Sequence, residues 1–290
     1  MGGMLGESKY DVLKMIPDQY KPKTVFVGYP STTEKVVDLL HQHQIQLPVI
    51  FKPDLGERGF MVKRIFNELD IEAYLKKIKV DFLIQELVDL PVECGVFYSR
   101  LPDEENGKVT SVVIKEMLSV TGNGTATLGE LILDKPRAKL QWPALKESHA
   151  DRINRIIPKN EEVELNAIGN HCLGTKFLSG EHLINEKLSQ TFDAISKQIN
   201  GFYFGRYDLR CASVNDLYLG NVKIMELNGC GAEPAHIYHP GFPLWRALRI
   251  LRNHWSTMFK ISVQNHKRGV PYVSFQEGKR IYQKFKLALQ

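Results

Sequence analysis

Phe204-Gly205-Arg206-Tyr207-Asp208-Leu209-Arg210 and, a little further on, Lys223-Ile224-Met225-Glu226-Leu227-Asn228 alternate apolar with charged or polar residues at period two. That alternation marks half-buried strands. The segment between them holds Ser213, Asn215, Asp216 and Gly220, which is turn chemistry. If the strands form a hairpin centred near Leu217, opposing residue numbers sum to about 434. Asp208 then faces Glu226, and Arg206 faces Asn228. Residues two apart share a face, so Arg206, Asp208, Arg210, Glu226 and Asn228 are expected together. Tyr207, Leu209, Met225 and Leu227 are expected on the core side. Two facing carboxylates repel unless a cation lies between them, and hard oxygen ligands suit Mg²⁺. A solvated polar face on a surface hairpin is the other reading.

Working outward, the chain alternates short strands and helices. Strands are expected at 24–27, 47–53, 60–65 and 82–88, with helices at 8–20, 33–43 and 71–79. A hairpin is expected from 92–98 to 109–118, turning at Asn106-Gly107. A flexible loop at 121–125 leads into a helix at 128–133. Further helices are expected at 144–157, 181–200, 241–260 and 276–288. The fold class is α+β, in two lobes facing a cleft. The boundaries are 8–89 for the first lobe, 90–262 for the second with its metal site, and 263–290 for a helical tail.

Length and composition set the frame. The chain has 290 residues, 43% apolar and 24% charged, with net charge +5. That is enough for a substantial core and ordinary for a globular protein. No apolar run approaches the roughly 20 residues of a membrane helix. No leader pattern is visible at the start, and Gly6 stands where a myristoylation signal needs Ser or Thr. Cys94, Cys172, Cys211 and Cys230 are scattered, as expected of free thiols in the cytoplasm.

Lys52 ends an otherwise apolar strand, an expensive position unless the ammonium meets an anion. Gly56 and Gly59 bracket the loop that follows and let backbone N–H groups approach an anion; Arg58 adds a donor fork. A lysine snorkelling beside an ordinary turn is the plain alternative. The loop lacks the Gly-Lys-Ser/Thr of a Walker motif, and Gly122-Asn123-Gly124 lacks the third glycine of a dinucleotide fingerprint. Gln85-Glu86-Leu87-Val88 closes another strand where a planar base could bond the backbone, with Glu93 soon after.

The ordered set resembles the ATP-grasp superfamily: a lysine strand, a glycine loop, Gln-Glu-x-Val, a glutamate, a Gly-Asn-Gly loop, an Arg-x-Asp strand and a Glu-x-Asn strand. The similarity runs from Ser8-Lys9 to about Pro240. Within the superfamily it looks closest to carboxylate–amine ligases such as D-alanine–D-alanine ligase. Thr121-Gly122-Asn123-Gly124-Thr125-Ala126-Thr127-Leu128-Gly129-Glu130-Leu131-Ile132 is similar to the loop of cyanophycin synthetase-like members.

The resemblance implies an ATP- and Mg- (or Mn-) dependent ligase that joins a carboxylate to an amine or thiol through an acyl phosphate. Lys9 and Lys52 would contact phosphates, and the loop of Gly56, Arg58 and Gly59 would cover them. Gln85, Glu86, Leu87 and Val88 would frame the adenine, and Glu93 would hold the ribose. Asp208, Glu226 and Asn228 would be metal ligands, and Arg206 would stabilise the transferred phosphoryl group. The loop 229–233 would line the acceptor pocket.

The chain departs from that family in starting almost at Lys9, where relatives carry a further domain. The cleft beside 229–233 is therefore expected to be open, and to be filled by a large substrate, capped by a homo-oligomer or partner chain, or completed by upstream sequence. Cys230-Gly231-Ala232-Glu233-Pro234 also differs from the ligases' Asn-Thr-x-Pro-Gly turn.

Two readings of other classes stand beside it: a non-catalytic ATP-binding or regulatory module, and a nucleic-acid-associated protein acting through the basic C-terminal helices. For Arg246, Arg249, Arg252 and Lys260, a solvated basic face over a Trp-containing core is the expectation, without nucleic acid as a partner. His236 and His239 near Cys230 offer metal-ligand types, but read as loop residues facing solvent or substrate. The substrates are not readable from the chain.

Overall fold

A computed structural model describes residues 2–4, 6–56, 59–166 and 168–288, without the side chains of 284, 287 and 288. The chain divides into two compact units, residues 1–114 with 178–290, and residues 115–177.

The first unit opens with α1 (Lys9–Lys14), whose N-cap is Ser8. Then come β1 (Thr24–Val27), α2 (Thr33–Gln42), β2 (Val49–Pro53), β3 (Lys63–Ile65), α3 (Glu68–Lys77) and β4 (Phe82–Glu86). Their strands form an antiparallel sheet in the order β1-β4-β2-β3. Val36 and Leu40 of α2 and Ile71 and Tyr74 of α3 pack against Val49, Phe51 and Ile84, one apolar layer shared by two helices and the sheet. Thr32 and Asn67 cap the two helices by accepting from Lys35 N and Asp70 N.

After β5 (Val92–Ser99) and β6 (Lys108–Glu116), the second unit carries β7 (Ser119–Thr121), α4 (Leu128–Asp134), α5 (Pro136–Lys139), α6 (Trp142–Ser148) and β8 (Glu162–Glu164). β7 and β8 pair antiparallel. The glycine loop at 121–125 is pinned rather than flexible. Gly122 N donates to Glu161 O at 2.8 Å and Gly124 N to Ile157 O at 3.1 Å. Asn123 Oδ1 accepts from Ala126 N at 2.7 Å. Its glycines serve close backbone approach: a Cβ on Gly122 would lie 2.0 Å from Pro158 O. A capping box of Thr127 and Glu130 then starts α4. The helix expected at 144–157 is only α6, ending at Ser148.

The remainder is β9 (Lys176–Ser179), α7 (Glu186–Lys197), β10 (Phe204–Cys211), α8 (Val214–Leu219), β11 (Val222–Asn228), α9 (Leu244–Lys267) and α10 (Phe275–Ala288). A five-stranded sheet runs β11-β10-β5-β6-β9. Leu188, Phe192 and Ile195 of α7 cover Tyr98, Tyr207 and Leu209 on one side of it. α9 packs on Phe97 and Phe204 through Ile261 and Met258. The expected strand at 60–65 shortens to β3, and the expected tail boundary at 262 falls inside α9.

The segment between β10 and β11 is a helical connection. Ser213 caps α8 by accepting from Asp216 N, and Gly220 ends it in the left-handed conformation.

Candidate active site

The pairing of β10 with β11 sets Arg206 against Asn228, Tyr207 against Leu227, and Asp208 against Glu226. The register then slips, and Leu209 pairs with Ile224. Met225 is the extra residue of a β-bulge, and bulges free backbone groups from the ladder. Its carbonyl is taken up from the other sheet, by Lys52 Nζ at 3.0 Å and Gln85 Nε2 at 3.3 Å. Tyr207, Leu209 and Leu227 are buried as expected, and Met225 is only half-buried because the bulge turns it out of the core row.

Lys52 is 6% exposed. Its ammonium donates to Gln85 Oε1 at 3.0 Å, and Gln85 Nε2 in turn donates to Thr24 Oγ1 at 3.1 Å. Both acceptors of Lys52 are neutral. Burial, only partly offset by Glu226 and reinforced by nearby Lys9, brings the Lys52 ammonium down to about 8. Lys9 Nζ lies 2.5 Å from Gly56 O and 3.4 Å from Asp54 O. Asp54 is itself buried and accepts from Ser8 Oγ and Tyr10 N, each at 2.9 Å. The start of α1 is thereby tied to the loop after β2, and both lysines reach the same neighbourhood. Gly56 and Gly59 have φ of 147° and 77°, where a side chain is disfavoured. Arg58 lies outside the described residues.

Arg206 is held differently. Its Nη2 lies 2.9 Å from Asp208 Oδ2 and its Nε 3.2 Å from Oδ1, a forked pair. Burial pulls the guanidinium down, but Asp208 and then Glu226 outweigh it and hold it raised. Asp208, 5% exposed, also accepts from Asn228 Nδ2 at 2.9 Å. Across from it, no hydrogen bond or ion pair reaches the half-buried Glu226 carboxylate from the described residues.

Other expected residues stand apart. Arg210 leaves the Asp208 group because its neighbour across the sheet is Glu93. It binds that buried carboxylate through Nε at 2.8 Å and Nη2 at 2.7 Å, and donates to Val88 O at 3.1 Å. Glu86 is exposed and accepts from Lys23 N at 3.2 Å; Leu87 is half-buried. His236, expected to face solvent or substrate, is buried: its Nδ1 lies 2.6 Å from Ser111 Oγ, and burial holds the ring neutral at pH 7. His239 Nδ1 accepts from Ser179 N at 3.1 Å. Among the described residues no group of three or more His, Cys, Asp and Glu is placed to hold a metal ion. The carbonyls of Gly2 and Gly3 accept from Cys230 N at 2.9 Å and Gly231 N at 3.0 Å, which ties the start of the chain to the loop at 229–231.

Gly95, which sequence reasoning missed, lies opposite Asp208 on β5. A Cβ there would meet Val113 Cγ1 at 2.8 Å, and Arg206 Cδ and Asp208 Oδ1 at 3.2 Å each. The glycine makes room for the Arg206–Asp208 pair. A lone glycine inside an alternating strand was the available signal.

No family model matches the chain, and no curated protein matches it. Among solved structures, the fold is similar to a bifunctional glutathione synthetase from Pasteurella multocida, at 18% identity and TM-score 0.39, covering 78% of this chain and 32% of that one. It is similar to VanG D-Ala:D-Ser ligase from Enterococcus faecalis, at 12% identity and TM-score 0.48, covering 87% and 62%. It is also similar to D-alanine–D-alanine ligase from Bacillus anthracis, at 11% identity and TM-score 0.47, covering 91% and 69%. The chain thus spans less than two thirds of the first two of these structures.

Proposed function

We propose that this protein is an ATP-dependent ligase that activates a carboxylate as its acyl phosphate and passes it to an amine or thiol. The observation that carries this reading is the meeting of a buried lysine, with no carboxylate of the described residues in direct contact, and a hairpin face carrying Arg206, Asp208, Glu226 and Asn228. On this reading the lobes that hold ATP are residues 8–89 and the part of the chain from residue 90 on, with α9 continuous through residue 262.

Lys52 and Lys9 offer ammonium groups to phosphate oxygens. Lys52 has three N–H donors, of which Gln85 and Met225 engage two. The glycine loop with Arg58 covers the phosphates, and residues 85–88 frame the base. Glu93 serves the ribose side while it is paired with Arg210.

The oxygens of Asp208, Glu226 and Asn228 fit Mg²⁺ or Mn²⁺: all are hard donors, and no hydrogen bond or ion pair from the described residues engages the Glu226 carboxylate. Asn228 donates through Nδ2, which leaves its Oδ1 as the ligand atom. When bound, the ion would supply positive charge against the β- and γ-phosphate oxygens. The substrate carboxylate attacks the γ-phosphorus as the bond to ADP breaks, and Arg206 offsets the charge on the transferred group. The amine or thiol then displaces phosphate, giving the amide or thioester, ADP and inorganic phosphate.

A screen of carboxylate and amine pairs, read as ADP and phosphate released in equal amounts with a new covalent product, tests this. Tight ATP binding with no product from any pair would favour the non-catalytic module instead.

A further inference from the structure

A second surface lies away from the hairpin site. Trp245 and Trp255, expected in the core, are 64% and 46% exposed, because α9 turns His254 and Ile261 inward instead. Trp245, Leu248, Arg252, Trp255 and Phe259 follow one another at intervals of three and four, so they form one outward stripe. Arg249 and Lys260, also exposed, flank it, and the Arg249 guanidinium lies 5.9 Å from the Trp245 ring centre. In the turn after α9, Val273 and Phe275 are 63% and 87% exposed. Isolated exposed apolar residues need no explanation, but a continuous stripe does.

Charge says what covers it. Residues 234–290 contain ten Lys and Arg and a single acid, Glu277. Because the whole chain is only +5, everything before residue 234 is net negative. From residue 234 to 276 there is no carboxylate at all. The same face of a second copy of this chain would bring like charge against like charge. Nucleic acid would use the cations and rings, but has little use for protruding Leu248 and Val273. Aromatic and aliphatic side chains standing out among Arg and Lys fit the boundary between anionic headgroups and acyl chains.

We propose that the outer face of α9, with the turn leading into α10, binds the surface of anionic phospholipid membranes. No described helix is long and apolar enough to cross a membrane, and this surface requires none to do so. Trp255 and Phe259 enter the headgroup boundary while Arg249, Arg252 and Lys260 pair with phosphate and carboxylate groups.

The test is co-sedimentation of the full chain with vesicles of phosphatidylcholine alone and of phosphatidylcholine with phosphatidylserine. Binding is expected to the second only, weakening as salt rises. The triple change Arg249→Glu, Arg252→Glu, Lys260→Glu should lower it by on the order of a hundredfold or more. Trp255→Ser with Phe259→Ser should lower it too, and a blue shift of tryptophan emission on binding should be lost in Trp245→Phe with Trp255→Phe. Circular dichroism of each variant establishes that it folds. No binding to phosphatidylserine vesicles at low salt overturns the proposal, as does binding that survives the triple change. A dimer dissolved by the Trp255 and Phe259 changes, or a preference for an oligonucleotide over vesicles, overturns it by assigning the face to another occupant.

Discussion

Lys52 and Arg206 are both cations withdrawn from water, and the protein treats them in opposite ways. Arg206 has a carboxylate two residues along its own strand, and the fork-to-carboxylate pair holds its charge firmly. Among the described residues Lys52 has only an amide oxygen and a backbone carbonyl as acceptors, and its ammonium is held down at about 8. One cation is neutralised inside the fold. The other is left with unspent charge, which is what a site for an anion requires. A paired cation can orient and stabilise; a cation held by neutral acceptors can recruit.

The largest expected effect separates the two carboxylates of the hairpin. Asp208→Asn should lower turnover by on the order of 10³-fold, and should also destabilise the fold by about 3 kcal/mol because Arg206 loses its partner. Glu226→Gln should lower turnover comparably while leaving the melting temperature nearly unchanged. Equal melting shifts in the two variants would erase the distinction between structural and ligand-facing carboxylates.

Lys52→Met comes next. It should weaken ATP binding by about a hundredfold, as expected for losing charged hydrogen bonds. Stability at pH 7 should hold or rise, because a buried charge with neutral partners is removed. Calorimetric titration and thermal melting together decide the matter; a strong loss of stability with intact ATP affinity would make Lys52 a scaffold residue.

A pH series is subtler. The folded-state lysine titrates near 8, below an unfolded lysine, so the unfolded chain binds more protons between about 8 and 10. Stability contributed by this group is therefore lowest below pH 8 and rises through that window. ATP affinity measured without divalent metal should move the other way, falling by up to tenfold per pH unit above 8. Lys52→Arg, charged throughout, should flatten both profiles in that window.

The smallest effect is expected from Gly95→Ala. Its methyl group crowds the Arg206–Asp208 pair, so turnover should fall several-fold with ATP affinity nearly unchanged, alongside a stability loss of about 1–3 kcal/mol. A turnover equal to that of the parent chain would show that the pair tolerates displacement.

Much of this site was legible because period-two alternation carries register: Arg206 with Asn228 and Asp208 with Glu226 follow from numbering alone. The bulge at Met225 was not, since an extra residue in one strand leaves no mark in the alternation until the pairing is known. Gln85 was legible as a strand-end residue, but not as the neutral acceptor that holds Lys52, because its partner comes from 33 residues away. The outward turn of Trp245 and Trp255 ran against composition. Which side of a helix meets the core is decided by what the core offers, here Phe97 and Phe204 to His254 and Ile261. The segment at 121–125 was read as a flexible loop because its anchors are backbone bonds to residues 157 and 161, which have no residue signature.

The Met225 carbonyl accepts at once from β2 through Lys52 and from β4 through Gln85. It therefore acts as a pivot pin joining the two sheets of the first unit. An ammonium with a third proton to offer can take hold of a phosphate without letting go of that pin. Loading and unloading of nucleotide then need not part the sheets at this point. The grip on the phosphate would then be made by the same lysine that ties the two sheets together.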